Sequence, residues 1–142
     1  MKMKHTYAHS TRVDLPFEIA VSRTHDALKE EHFGVMTEID LQKTMHDQLG
    51  KEIRPYLIIG ACLPPMTYQA ITTEPLIGTL MPCNVCVWEN EDGTCTIAAV
   101  NVETMFKLVN RPDLAEIVRV VNAKVEAVID WVRGAIIGEA AG

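Results

Sequence analysis

The stretch "PCNVCVWENEDGTCTIAAVN", residues 82–101, predicts a β-hairpin. Two segments rich in β-branched and aromatic residues flank Asp92 and Gly93, a pair that favours a tight turn. A hairpin joins antiparallel strands that are neighbours in the sequence, which differs from the regular strand and helix alternation of a parallel sheet. The stretch therefore favours an α+β fold built on a mostly antiparallel sheet.

The sequence on both sides of this hairpin predicts further strands and several helices. Strands are predicted in "HTYAHSTRV", "FGVMTEID" and "RPYLIIGACL". The last of these is apolar without alternation, so we expect it to be central and buried on both faces. Helices are predicted after Pro16, Asp40 and Pro64, and a long one from Pro112. We predict one sheet with helices packed on one face, which leaves the other face for water, a ligand or a second subunit.

Composition and charge indicate a single domain. The chain has 142 residues, of which 48% are hydrophobic, and we predict one domain over residues 1–142 with a flexible tail at 134–142. The formal net charge of −6 and the scattered Lys and Arg residues argue against nucleic-acid binding. Because we find no membrane-length apolar run and no apolar centre of a signal peptide, we expect a cytoplasmic protein that does not bind membranes.

Cys83 and Cys86 stand in C-x-x-C spacing within the hairpin, which holds three of the chain's four cysteines. On a strand these residues point to opposite faces with Cα atoms roughly 10 Å apart, whereas a disulfide needs about 4.4 to 6.8 Å. The spacing also lacks the following helix of a redox motif and the tight turn of a metal knuckle. We therefore interpret Cys86 and Cys95 as strand residues, and we predict no metal site and no cofactor.

Other polar residues on the predicted strands are candidates for a ligand site. In "FGVMTEID" the alternation places Glu38 opposite an apolar stripe, where it is either a solvated charge or a ligand-facing carboxylate. The stripe consists of Phe33, Val35, Thr37 and Ile39. Cys62 ends the central strand just before a helix that starts with proline, so its thiol is either inert and buried or close to helix N–H groups that stabilise a thiolate. If the next strand is its antiparallel neighbour, Cys62 and Cys83 meet at one edge of the sheet, beside Asn84.

At "FGVMTEID", "RPYLIIGACLPPMTYQAI", "EPLIGTLMPCNVCVWE" and "AAVNVETMFKLV" the chain resembles the domain of unknown function 302 family, over roughly residues 5–133. The resemblance implies a TATA-box-binding-protein-like domain with a curved sheet in β-α-β(4)-α order, which forms homodimers and has no established activity. Fold likeness to a DNA-binding protein does not transfer that function. The family pattern has cysteine at the positions of Cys62 and Cys83 and an acidic residue at that of Glu38, whereas Leu63 replaces its usual Asn.

These observations lead to a hypothesis of small-molecule binding. We expect a homodimeric domain that binds or senses a small molecule at the open sheet face, near Glu38, Cys62, Cys83 and Asn84. The alternative is a thiol-based enzyme or sulfur carrier that uses Cys62 with Cys83. In a third hypothesis the open face only mediates dimerisation. The sequence names neither the ligand nor a reaction.

Overall fold

The computed structural model describes residues 2–4 and 6–141, with side chains described over 6–134. Its strands are β1 (Lys2–Lys4), β2 (Ala8–Val13), β3 (Gly34–Asp40), β4 (Tyr56–Cys62), β5 (Cys83–Glu89) and β6 (Cys95–Val100). They form one six-stranded sheet in the order β1-β2-β6-β5-β4-β3. Every neighbouring pair is antiparallel. The predicted α+β class and antiparallel sheet are confirmed.

Five helices connect or follow these strands within the described residues. They are α1 (Phe17–Glu30), α2 (Leu41–Leu49), α3 (Pro64–Thr73), α4 (Val102–Phe106) and α5 (Ala115–Ala141), with 3-10 turns at Pro75–Leu80 and Pro112–Leu114. Asp40 caps α2 by accepting a 2.9 Å hydrogen bond from the backbone N–H of Lys43. Gly50, with φ of 64°, ends the same helix in the left-handed conformation that glycine tolerates. The predicted flexible tail includes Gly142, which lies outside the described residues, and stays a prediction.

The core lies between one face of the sheet and the helices α1 and α5. Ile59, Val85 and Ala99 lie directly opposite one another on adjacent strands, so all three point to the same face. These residues are buried against apolar side chains of the two helices, among them Ala20, Ala27, Leu28, Val125, Val128, Ile129 and Val132. Burial of this apolar surface supplies most of the favourable free energy of folding, at about 25 cal/mol per Å².

The edge strand β3 contains a β-bulge that changes which of its side chains face the helices. Val35 pairs with Ala61, yet Thr37 pairs with the adjacent Gly60, so the register shifts by one residue between them. Val35 and Thr37 therefore point to opposite faces of the sheet. The sequence pattern predicted that Val35 and Thr37 share one face with Ile39, and this prediction is wrong for Val35. Simple alternation does not anticipate the extra residue that the bulge inserts between Val35 and Thr37.

At Gly60 on β4, side chains from β3 and from the residue just before β5 come close to the backbone. A Cβ atom built on Gly60 would overlap the Oγ1 atom of Thr37 on β3 and lie 2.7 Å from Cγ of Pro82, just before β5. The proline ring has little freedom to move away, because its backbone continues directly into a paired strand. Glycine at this position lets the Thr37 and Pro82 side chains approach β4.

We expect Gly60→Ala to lower the free energy of unfolding by about 1 to 3 kcal/mol, the usual cost of overpacking. The measurement is urea unfolding followed by circular dichroism. Gly134→Ala is the matched control, since a Cβ atom there would meet nothing within 4 Å. Alanine in a helix interior is favoured over glycine by about 0.5 to 1 kcal/mol, so the control should be slightly stabilised. Equal stability of Gly60→Ala and the wild type would contradict this account of Gly60.

Candidate functional site

The open face, defined here as the side of the sheet away from α1 and α5, carries a groove of about 540 Å³. The groove is lined by residues that include Tyr56, Asn84, Cys86, Trp88, Thr96 and Ala98. Cross-strand pairing explains this set, because Tyr56 lies opposite Trp88 and Cys86 lies opposite Ala98. The volume lies within the range of about 300 to 1,000 Å³ that small-molecule sites occupy.

Two aromatic side chains form a rigid wall of this groove. The rings of Tyr56 and Trp88 are stacked, with centroids 5.2 Å apart and planes 9° apart. The indole Nε1–H of Trp88 donates a 3.1 Å hydrogen bond to Oδ1 of Asn90, in the hairpin turn. Asn90 in turn donates to the hydroxyl of Thr96, which also lines the groove. These contacts hold the indole in one orientation and present a flat apolar surface with polar groups at its end.

Cys86 and Tyr56 keep this part of the groove uncharged at neutral pH. Burial raises the pKa of Tyr56 to about 12, and its neighbour Cys86 adds to the increase. Burial also raises the pKa of Cys86, although a hydrogen bond with Tyr56 partly opposes that effect. Among the residues whose side chains are described, none that lines the groove has a carboxylate, guanidinium or ammonium group. The site therefore suits a neutral ligand with an aromatic or apolar part.

Sequence reasoning missed Tyr56, Cys86 and Trp88 as members of one site. A signal for them existed, because Cys86 and Trp88 are two residues apart on a predicted strand and so share a face. What the sequence did not provide was the register that places Tyr56 directly opposite Trp88. Without that register, Tyr56 was only one more residue of a central strand.

Of the residues predicted for a ligand site, Asn84 lies in the groove and Glu38 does not. Asn84 is exposed on the open face and lines the groove. Glu38 lies opposite Ile59 on the helix face, where its carboxylate is 2.6 Å from Nε2 of His25 in α1. The structure thus separates Glu38 from Asn84 by the thickness of the sheet. The β-bulge in β3 causes this difference, because it moves Thr37 and Ile39 to the open face.

Cys62 and Cys83 lie close together at the ends of neighbouring strands. Cys83 lies opposite Ala61, so the end of β4 meets the beginning of β5 as predicted. Both cysteines border a small cavity at the end of the sheet, whereas Asn84 lines the groove of the open face. The structure therefore brings the two cysteines together without Asn84, and a shared ligand site at these residues stays a prediction.

The four cysteines form no disulfide with one another. All four cysteines are free, and β5 places Cys83 and Cys86 on opposite faces, as their spacing predicted. Burial, followed by the proximity of Cys62, raises the pKa of Cys83 to about 11. With this pKa, the thiol of Cys83 is almost entirely protonated at neutral pH and is a poor nucleophile. Over the described residues, no group of three or more His, Cys, Asp or Glu side chains is arranged to hold a metal ion.

Comparison with known proteins agrees with this architecture. Residues 9–132 match the family described as Domain of unknown function DUF302. The chain belongs to the DUF302 family. The crystal structure of an uncharacterized conserved DUF302 protein from Bacillus stearothermophilus is similar, with a TM-score of 0.82 at 22% sequence identity. That similarity covers 90% of this chain and 99% of the other and shows the shared fold.

No curated protein matches the chain. In the part of the chain that the structure describes, no helix has both the length and the apolar character needed to span a membrane. The family membership predicted from the sequence motifs is confirmed, and the relatives bring no activity with them.

We expect Cys83 to react with iodoacetamide about a hundredfold more slowly at neutral pH than an ordinary thiol. The reason is that the thiolate is the reactive form and the pKa of Cys83 is raised to about 11 from an ordinary value of 9.0. Its rate should rise with pH up to that value. Peptide mapping by mass spectrometry after timed labelling measures the rate, and the same chain in urea provides the reference. Rapid labelling of Cys83 in the folded protein at neutral pH would show that the burial argument fails.

Proposed function

We propose that this protein binds or senses a small neutral molecule with a planar aromatic or apolar part, in the groove of the open face. The observation that supports this proposal best is the stacked pair of Tyr56 and Trp88 at the wall of a groove of about 540 Å³. Aromatic side chains that are already oriented lose little conformational entropy when a ligand packs against them. The pair is therefore suited to hold a flat ligand.

Asn84 supplies a polar group to the lining of this groove. Its amide group both donates and accepts hydrogen bonds, so it can orient a ligand that carries a carbonyl, an amide or a hydroxyl group. Ligand sites commonly combine an apolar wall with a few polar groups that determine orientation. The groove has this composition, since Asn84 and Thr96 are polar and Ala98, Trp88 and Val100 are apolar.

Charge also favours a neutral ligand over an anionic one. The chain has a formal net charge of −6, and among the residues with described side chains no cation lines the groove. An anion would lose its hydration on entering the groove without gaining an ionic partner from these residues, which is unfavourable. A cation would meet no carboxylate among the same residues.

A thiol-based enzyme or sulfur carrier that uses Cys62 with Cys83 receives less support. Such a role needs a reactive thiolate, whereas burial raises the pKa of Cys83 to about 11. We therefore retain binding as the proposal.

A homodimer is a second proposal, which rests on the edge strand β3. Val35, Met36 and Ile39 on this strand are 42%, 60% and 45% exposed, which is unusual for three apolar residues on one short segment. An exposed sheet edge with apolar side chains tends to pair with another chain. Dimerisation through β3 would leave the groove, whose lining includes residues of β2, β4, β5 and β6, accessible to a ligand. Sedimentation velocity of the wild type and of Met36→Lys tests this proposal, and a wild type that stays monomeric at high micromolar concentration would refute it.

Ligand binding can be tested with the neutral fluorophore N-phenyl-1-naphthylamine. The chain has two tryptophans, so Trp131→Phe leaves Trp88 as the sole indole. We expect saturable binding of the fluorophore to this variant, with quenching of Trp88 emission. Ala98→Phe should weaken binding by at least about tenfold, or 1.4 kcal/mol, because Ala98 lines the groove opposite Cys86.

Ile39→Phe is the matched control for Ala98→Phe. Ile39 lies opposite Ile58 on the same face but does not line the groove. The control should therefore bind the fluorophore as tightly as the wild type. If Ala98→Phe binds equally well, or if Trp88 emission does not respond, the groove is not the binding site and the proposal is wrong.

A further inference from the structure

A small cavity at the end of the sheet is unusually rich in sulfur. It has a volume of about 40 Å³ and lies among the ends of β4 and β5, helices α3, α4 and α5, and the 3-10 turn at Pro75–Leu80. Three of the chain's seven methionines and two of its four cysteines border it, namely Met66, Met81, Met105, Cys62 and Cys83. Most organic ligands need about 300 Å³ or more, so this cavity is too small for them. A single ion fits within it.

We infer that this cavity binds one Cu(I) ion, with the Cys83 thiolate and the thioethers of Met66, Met81 and Met105 as ligands. The site is separate from the groove of the open face, and the inference does not depend on the proposed function. Cys62 borders the same cavity and provides one more sulfur atom near the ion.

The donor atoms around the cavity favour Cu(I) over other metal ions. Thiolate and thioether sulfurs are soft ligands, which select Cu(I), whereas magnesium and calcium need oxygen ligands. Over residues 6–134 the cavity is bordered by no carboxylate and no imidazole, and by the single side-chain hydroxyl of Thr67. Zinc sites use Cys, His or carboxylate ligands, and Cys62 and Cys83 could supply only two of the four that a zinc ion needs.

The balance of charge favours a monovalent ion. No charged side chain of the described part of the chain borders the cavity, so a bound ion must be neutralised by its own ligands. One Cu(I) ion and the Cys83 thiolate form a neutral pair, and the thioethers add no charge. With Cys83 as the one thiolate, a divalent ion would leave one uncompensated positive charge among apolar residues such as Ile117 and Val121.

Binding exchanges a proton for the ion without a change of oxidation state. The Cys83 S–H bond breaks, the S–Cu bond forms, and the proton leaves to solvent. A cysteine thiol is normally protonated at neutral pH, so one proton is released for each ion bound and the apparent affinity rises with pH.

The position of the cavity between two parts of the core gives the ligands room to adjust. Met66 and Phe106 pack against both the main core and a smaller cluster formed by Ala70, Ile77, Leu114 and Ile117. Methionine is unbranched and flexible, so its sulfur can move toward an ion without displacement of the backbone. Methionines also fill irregular gaps in protein cores. A measurement of metal binding distinguishes a methionine that acts as a ligand from one that only fills the core.

The test is an anaerobic titration of the reduced, full-length protein with Cu(I) in competition with the chromophoric chelator bicinchoninate. We expect one Cu(I) ion per chain and release of one proton per ion. Cys83→Ser should weaken binding by at least about a hundredfold and Met66→Leu by about tenfold, as expected for loss of a metal ligand and of a supporting one. Cys86→Ser is the matched control and should bind as the wild type does.

A second measurement uses the unaltered protein, in case Cys83→Ser fails to fold. Iodoacetamide labelling at alkaline pH, mapped by mass spectrometry, should show that one equivalent of Cu(I) protects Cys83 and leaves Cys86 reactive. Three results would overturn the inference: wild-type affinity in Cys83→Ser, an equal loss of affinity in Cys86→Ser, or unchanged labelling of Cys83 in the presence of Cu(I).

Discussion

The shared register of β4, β5 and β6 is the constraint on which the rest of this structure depends. It places Ile59, Val85 and Ala99 in one row beneath α1 and α5. Because successive residues of a strand point to opposite faces, the same register places Cys86 and Ala98 together on the open face. A slip of one residue on any of these strands would exchange the two faces and expose core residues to water. Burial of the aliphatic row therefore determines the composition of the open face as well.

This constraint divides the chemistry of the protein between the two sides of one sheet. Cys83 and Asn84 are adjacent in the sequence, yet Cys83 borders the sulfur-lined cavity and Asn84 lines the groove. The groove has a stacked aromatic wall and accessible polar groups, whereas the cavity is small and apolar. Soft metal ions and neutral organic molecules are suited to such different surroundings, so the two proposed sites need not compete. A single strand, β5, contributes to both.

The edge strand β3 follows a different rule from the central strands. Its bulge shifts the pairing by one residue, so Glu38 lies on the helix face beside His25 while Thr37 turns to the open face. Thr37 then reaches the space above Gly60, where a side chain on β4 would overlap it. An edge strand tolerates such an irregularity because it has a partner on one side only. Glu38 thus contacts His25 of α1 on the covered side and does not line the groove.

Features that depend on nearby residues were determined by the sequence itself. Such features include the hairpin around Asp92 and Gly93, the Asp40 cap, and the prolines that begin α3 and precede α5, since each acts over a few residues. The two C-x-x-C cysteines face apart for the same reason, because the alternation of side chains along a strand is local. The pairing of Tyr56 with Trp88, the bulge in β3 and the sulfur-lined cavity were decided by the tertiary structure. Each joins residues from separate elements, and their relative positions follow from burying the whole aliphatic face at once. The sequence pattern specifies which face of its own strand each residue occupies. Only packing specifies which residues of other strands lie on the same face.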